Sequence, residues 1–233
     1  MGIAGGKKRI LNNGKWLVVI IGLLSSGYVW RYEGKAVKTM ENQELAERYC
    51  PVIVQGEGIK PEPEAIFYRM AEEDGHILIA YHIVWAYEKD TGRGFWKVWN
   101  RLFYTGGLHL QKVIFGPGDV EAIELCIDKK SGLVVRIRYE TARVSKKGKI
   151  KHIPLVVEQD QIPPALPLYF EVISWNHLFK LIDPGQAKGK KIYQLKPGYF
   201  TDQLWKHYRM TKKHQGPLSQ DRAHFGWETM GKE

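Results

Sequence analysis

The sequence predicts a mainly β protein: an antiparallel β-sandwich with short helices and an apolar N-terminal segment. Three observations lead there. Aromatic residues are plentiful, with eight Trp and twelve Tyr, and β-branched residues gather in short runs, a composition suited to half-buried pleated surfaces. Residues 77–87, Ile-Leu-Ile-Ala-Tyr-His-Ile-Val-Trp-Ala-Tyr, are apolar on both alternating sets, as in a central strand covered on both faces. Gly116 to Tyr139 reads as a β-hairpin closed by Asp-Lys-Lys-Ser-Gly, with Gly132 supplying the positive φ that a short loop needs. A chain of 233 residues, 44% hydrophobic, has material for one substantial core with appendages.

Residues 1–36 read as a signal peptide or signal anchor. Lys7, Lys8, Arg9 and Lys15 precede an uncharged apolar run from Trp16 to Trp30, the order of a basic and then a hydrophobic export segment. Trp16, Tyr28 and Trp30 suit membrane–water interfaces, so 16–30 is the segment expected to meet a membrane. Either form places the body outside the cytoplasm, membrane-anchored or secreted. That body is expected over 37–214, followed by a loosely ordered tail at 215–233.

Within the body, Asn42 is placed to cap a short helix over 42–49 that Pro51 ends. Val52 to Val54 begins the sheet, and Gly56, Gly58, Pro61 and Pro63 mark a loop. After the 77–87 strand, Phe95 to Tyr104 carries Trp96, Trp99 and Phe103 at helical spacing, and 108–115 leads into the hairpin with His109. In the second hairpin arm Leu133, Val135, Ile137 and Tyr139 are expected to be buried, alternating with Arg136 and Arg138. An exposed lysine-rich turn precedes a strand at Ile153 to Val157. Residues 168–182 are strand-like at first, with His177 near their end; 183–198 read as loop; and 201–214 read as an amphipathic helix carrying Leu204, Trp205 and Tyr208.

The chemical signal lies in the first hairpin arm. Counting back by twos along the buried series Ile127, Leu125 and Ile123 reaches Glu121 and then Asp119, so two carboxylates share the apolar face. A buried carboxylate is costly unless partnered, so the pair must sit at the open end of the core or meet an Arg, a Lys or a cation. Hard oxygen ligands select Ca²⁺ or Mg²⁺ over zinc, with backbone carbonyls, waters or a His completing the shell. His82 shares its strand face with Leu78, Ala80 and Val84, where it is either a hydrogen-bonded core residue or, with His109, a contributor to a binding site.

Charge narrows the partners. The formal net charge is +10, and residues 142–233 hold 16 Lys and Arg against 8 Asp and Glu. Anionic glycans or lipid head groups are the matching ligands, with a solubilising basic face as the plain alternative. Nucleic acid is disfavoured by the export-like N-terminus and the absence of a nucleic-acid motif. Cys50 and Cys126 lack metal-ligand spacing; they are either small buried residues or a single disulfide.

Leu-Ala-Glu-Arg-Tyr-Cys-Pro-Val-Ile at 45–53, Ile-Ala-Tyr-His-Ile-Val-Trp-Ala-Tyr at 79–87 and Gly-Asp-Val-Glu at 118–121 together resemble the vacuolar-protein-sorting-62-like family and, more distantly, the necrosis-and-ethylene-inducing-like proteins. The resemblance implies a β-sandwich with a Gly-Asp-Trp-Glu-like motif at one rim. It also implies that Asp119 and Glu121 help hold a divalent cation, with a His, beside a head-group cleft. Val120 stands where the motif has Trp, and Gly116 and Gly118 where that branch has His. Two functions follow: an exported or membrane-tethered binding protein for an anionic glycan or lipid head group, or a metal-assisted hydrolase using Asp119 and Glu121 with His82, His109 or His177 assisting. No Gly-x-Ser-x-Gly, His-Glu-x-x-His or P-loop selects a particular chemistry.

Overall fold

The computed structural model describes residues 39–88, 117–144 and 150–210. Contacts divide the chain into Met1–Arg31 and Tyr32–Glu233, and every described residue belongs to the second unit. The 16–30 segment, the aromatic run at 95–104, His109 and the 215–233 tail lie outside the described residues. Among the described residues, no helix is long and apolar enough to cross a membrane.

The strands are β1 (Thr39–Met40), β2 (Val52–Gln55), β3 (Pro63–Glu73), β4 (His76–Trp85), β5 (Asp119–Asp128), β6 (Val134–Val144), β7 (Ile150–Glu158), β8 (Tyr169–Val172), β9 (Phe179–Ile182), β10 (Lys191–Tyr193) and β11 (Gly198–Tyr199). Two short helices, α1 (Gln43–Arg48) and α2 (Asp202–His207), complete the main elements. One sheet runs β1-β3-β4-β5-β6-β7, with β11 also on β3; the other runs β10-β2-β8-β9. Pairing is antiparallel except for β2 with β8 and β11 with β3. The predicted sandwich is therefore present.

Its core is made where the two sheets face each other. Ile79, Tyr81, Ile83 and Trp85 of β4 and Ile123, Leu125 and Ile127 of β5 pack with Ile53, Phe170, Val172 and Phe179 of the smaller sheet. The opposite face of β4 is also covered: Val84 and Val120 lie under Phe200, Trp205 and Met210. Arg69 fastens that cover, donating through Nε to the Phe200 carbonyl at 3.0 Å, pairing with Asp202 at 2.6 Å, and lying 3.9 Å over the Trp205 ring. Double coverage is why β4 is apolar on both alternating sets.

Local signals act as expected at α1, where the Asn42 side chain accepts from the Leu45 amide at 3.1 Å. They act likewise at the β5–β6 turn. There Asp128 accepts from the Ser131 amide and hydroxyl, each at 2.7 Å, and Gly132 takes φ +69°.

The structure corrects two expectations, the alternation along β6 and the loop at 183–198. Leu133 is 48% exposed and Val135 only half-buried, while Val134 is buried. The cause is a bulge: Cys126 faces Arg136 but Ile127 faces Val134, so Val135 is an extra residue and the alternation changes phase. Of the two alternatives left open for Cys50 and Cys126, the structure has the free thiols, Cys126 buried and Cys50 partly buried. The stretch 183–198, read as loop, contains a 3₁₀ turn at Pro184–Ala187, the short strand β10 and the start of β11.

Candidate functional site

The site forms where β4 ends and β5 begins. Antiparallel pairing sets Trp85 opposite Asp119 and Ile83 opposite Glu121, with both carboxylates on the core-facing side beside Ile123. The chain leaving β4 brings Glu88 back over the same rim. One oxygen from each of Glu88, Asp119 and Glu121 lies within 4.8 Å of the others; Asp119 and Glu121 are buried and Glu88 is partly exposed.

Backbone geometry makes this approach feasible. Gly118 has φ +66°, and a Cβ there would stand 2.6 Å from the Trp85 carbonyl oxygen, so a glycine is needed before Asp119 for two separate reasons. Trp85 is held from the other side: its indole donates to Gln55 Oε1 at 3.3 Å, and the Gln55 amide donates to the carbonyls of Ile59 at 2.9 Å and Pro61 at 2.8 Å.

The second sheet supplies a histidine. Between β8 and β9 the chain turns tightly: the His177 amide donates to the Ser174 carbonyl and the Leu178 amide to the Ser174 hydroxyl, each at 3.1 Å. His177 takes φ +56°, a left-handed conformation that directs its ring inward. The ring is fully buried and lies flat on Trp85, with centroids 4.4 Å apart and planes 5° from parallel. Its Nδ1 is 2.7 Å from Asp119 Oδ2, which fixes the tautomer with the proton on Nδ1, donated to the carboxylate. Nε2 has no hydrogen-bond partner among the described residues. The adjacent Asn176 Nδ2 lies 2.7 Å from His152 Nε2, and His152 Nδ1 lies 2.6 Å from Glu140 Oε2.

Of the residues singled out in the sequence, Asp119 and Glu121 are therefore together. His82 is on the opposite face of the sheet, fully buried between Phe200 at 5.1 Å and Trp205 at 5.3 Å, away from the carboxylates. Burial, with Arg69 nearby, pushes its pKa down to about 3, so this imidazole is neutral. His109 lies outside the described residues. Glu88 and Trp85 were not singled out, although their place at the end of a strand antiparallel to the Asp119 strand is the signal that finds them. His177 is one of three histidines the hydrolase reading sets beside Asp119 and Glu121, and of these the structure brings His177 to Asp119 and keeps His82 away, although nothing local in the sequence makes that choice.

Chemically, three carboxylates facing one another make a donor set for a hard divalent cation, which takes oxygen ligands and fills its shell with carbonyls and water. The His177 bond to Asp119 is the arrangement that orients a ligating carboxylate from behind.

No protein-family model matches the sequence, so the vacuolar-protein-sorting-62-like resemblance is not carried by one, and no curated protein matches either. Among solved structures the chain is similar to NLPPya in complex with mannosamine and NLPPya in complex with glucosamine, each at 12% identity and a TM-score of 0.44, over 78% of this chain and 88% of that one. It is also similar to Necrosis and Ethylene inducing Protein 2 from the causal agent of cocoa's Witches Broom disease, at 12% identity and a TM-score of 0.36, over 79% of this chain and 84% of that one.

Proposed function

We propose that this protein is an exported binding protein that holds Ca²⁺ or Mg²⁺ at the Glu88–Asp119–Glu121 rim and through it engages an anionic glycan or lipid head group. The observation that carries the reading is the approach of three carboxylate oxygens to within 4.8 Å. Support comes from Asp119, held in place by His177 at 2.7 Å. A cation placed there offsets the mutual repulsion of the carboxylates and presents open coordination positions to phosphate or sugar oxygens. Export is supported by the basic segment followed by the uncharged run 16–30. Binding is favoured over hydrolysis because the ring of the histidine at the site is fully buried, Nε2 included, and His82 lies across the sheet.

The test is thermal unfolding and calorimetric titration with Ca²⁺ and Mg²⁺, against chelator. A cation bound only by the folded chain stabilises it by about 2.7 kcal/mol at a hundredfold excess over Kd. The wild-type midpoint should rise, and the pair Asp119→Asn with Glu121→Gln should abolish the rise. A wild type that shows neither heat nor midpoint shift with either ion removes the reading.

A further inference from the structure

The end of β5 away from the carboxylate rim carries a second concave feature. β5 runs ten residues from Asp119 to Asp128, so the turn after it lies roughly 30 Å from the rim. There a cavity of about 340 Å³ opens between that turn, the C-terminus of α1 and the chain from Gln159 to Leu166, within the roughly 300–1,000 Å³ range of small-molecule sites. Its walls are apolar, formed by Leu133, Val134, Ile162, Pro163, Pro164 and Leu166. Leu133 and Leu166 are 48% and 37% exposed, so apolar surface is left in water along this groove. The walls are held without a ligand: the Tyr49 hydroxyl donates to the Gly132 carbonyl at 2.9 Å, the Ile162 amide donates to the Gln159 carbonyl at 3.2 Å, and two consecutive prolines restrict the chain between them. Arg48 is the one ionisable group among the described lining residues. Its guanidinium lies 5.3 Å from the centre of the Tyr49 ring, and among the described residues it has no carboxylate partner. Nearby carboxylates are engaged elsewhere: Asp128 accepts from Ser131 within the turn, Glu158 pairs with Arg136 at 3.2 Å, and Asp160 lines a separate cavity with His76.

We propose that this groove binds a small amphiphile with one carboxylate, its tail lying along Leu133, Ile162 and Leu166 and its head meeting Arg48. The apolar walls select the tail, since covering Leu133 and Leu166 removes apolar surface from water. The guanidinium selects the head: its planar fork matches a carboxylate bidentately. One cation balances one negative charge, whereas a phosphate monoester, close to doubly charged, leaves charge unmatched. The site is remote from the Glu88–Asp119–Glu121 rim and does not depend on a cation there.

The full chain is titrated with hexanoate, octanoate and decanoate below their micelle concentrations, and with 1-octanol, in Ca²⁺ and in chelator, followed by calorimetry and by the amide resonances of Gly132 and Leu133. Each methylene that enters the groove should tighten binding by up to about fourfold. Octanoate should bind more tightly than 1-octanol by up to about fivefold, the scale of one exposed ion pair, and Arg48→Gln should erase that preference. Leu133→Ser should weaken octanoate by about fivefold, whereas Ile192→Ser, at an exposed apolar side chain of the smaller sheet, should leave it unchanged. Arg48, Leu133 and Ile192 are all exposed, so each variant should keep the wild-type unfolding midpoint. No saturable binding, equal affinity for octanoate and 1-octanol, affinity that does not grow with chain length, or equal losses in Leu133→Ser and Ile192→Ser overturns the proposal. So does a wild-type dimer in sedimentation that Leu133→Ser dissolves, which assigns the groove to a second copy of the chain. Octanoate binding abolished by chelator yet untouched by Arg48→Gln overturns the groove and speaks for a cation at the rim. Binding that ignores chelator and depends on Arg48 supports the groove and leaves the cation reading to its own test.

Discussion

His177 and Asp119 meet across the two sheets, with Nδ1 of the imidazole donating to Oδ2 of the carboxylate at 2.7 Å while the ring lies flat on Trp85. Truncation to alanine removes the partner of a buried carboxylate and the stacking surface of Trp85 together. We expect His177→Ala to cost about 3 kcal/mol, read as a lower urea midpoint. If Asp119 needs this orientation to bind a cation, the variant should also respond less to Ca²⁺. A midpoint within error of wild type would show that the bond contributes nothing to stability.

Two glycines separate backbone strain from steric crowding. Gly118 and Gly132 have nearly the same φ, +66° and +69°, yet a Cβ at Gly118 meets the Trp85 carbonyl oxygen at 2.6 Å, while at Gly132 its nearest neighbour is the Tyr49 hydroxyl at 3.4 Å. Gly132→Ala should cost about 1 kcal/mol, for the left-handed backbone alone. Gly118→Ala should cost about 2–4 kcal/mol, because backbone must also move. Equal denaturation midpoints for the two variants would contradict this division.

Much of this architecture was legible because it is written in short-range periodicity. Alternation along β5 put Asp119 and Glu121 on the core face, two-sided apolarity marked β4 as central, and Asn42 and Gly132 announced a cap and a turn. Other features depend on pairing that no local pattern encodes. The bulge at Val135 shifts the phase of β6 and exposes Leu133. β3 was not singled out: it begins with Pro63, ends in Glu72 and Glu73, and carries Arg69, whose burial becomes intelligible only once Asp202 and Trp205 arrive from a distant part of the chain. Half of the site was likewise hidden. Glu88 reaches the carboxylates only because β4 and β5 are antiparallel neighbours, and His177 only because the two sheets close on each other.

The free cysteines give a chemical prediction. Burial, with Glu47 adding a smaller effect, raises the Cys50 thiol to about 12, and burial raises Cys126 as well, so neither carries appreciable thiolate near pH 8. Native protein treated with iodoacetamide should gain mass slowly, whereas protein in denaturant should gain two adducts without prior reduction. A single disulfide-linked species that alkylates only after reduction would refute the free-thiol state.

His82 makes stability depend on pH in a defined direction. Its folded pKa is lowered to about 3, first by burial and then by Arg69, from an ordinary value of 6.5. Between those values the unfolded chain takes up a proton that the folded chain refuses, so protonation favours unfolding. The contribution is fully present above about pH 6.5 and is lost as pH falls toward 3, at a limiting slope of about 1.4 kcal/mol per pH unit. Other groups titrate over the same range, so the useful comparison is with His82→Leu, which keeps an apolar side chain of similar size against Phe200 and Trp205. Urea unfolding from pH 7.5 down to pH 4.5 should show wild type losing stability faster than the variant, with the difference opening below about pH 6.5. Parallel curves for the two proteins across that range would mean that His82 is protonated in the fold after all.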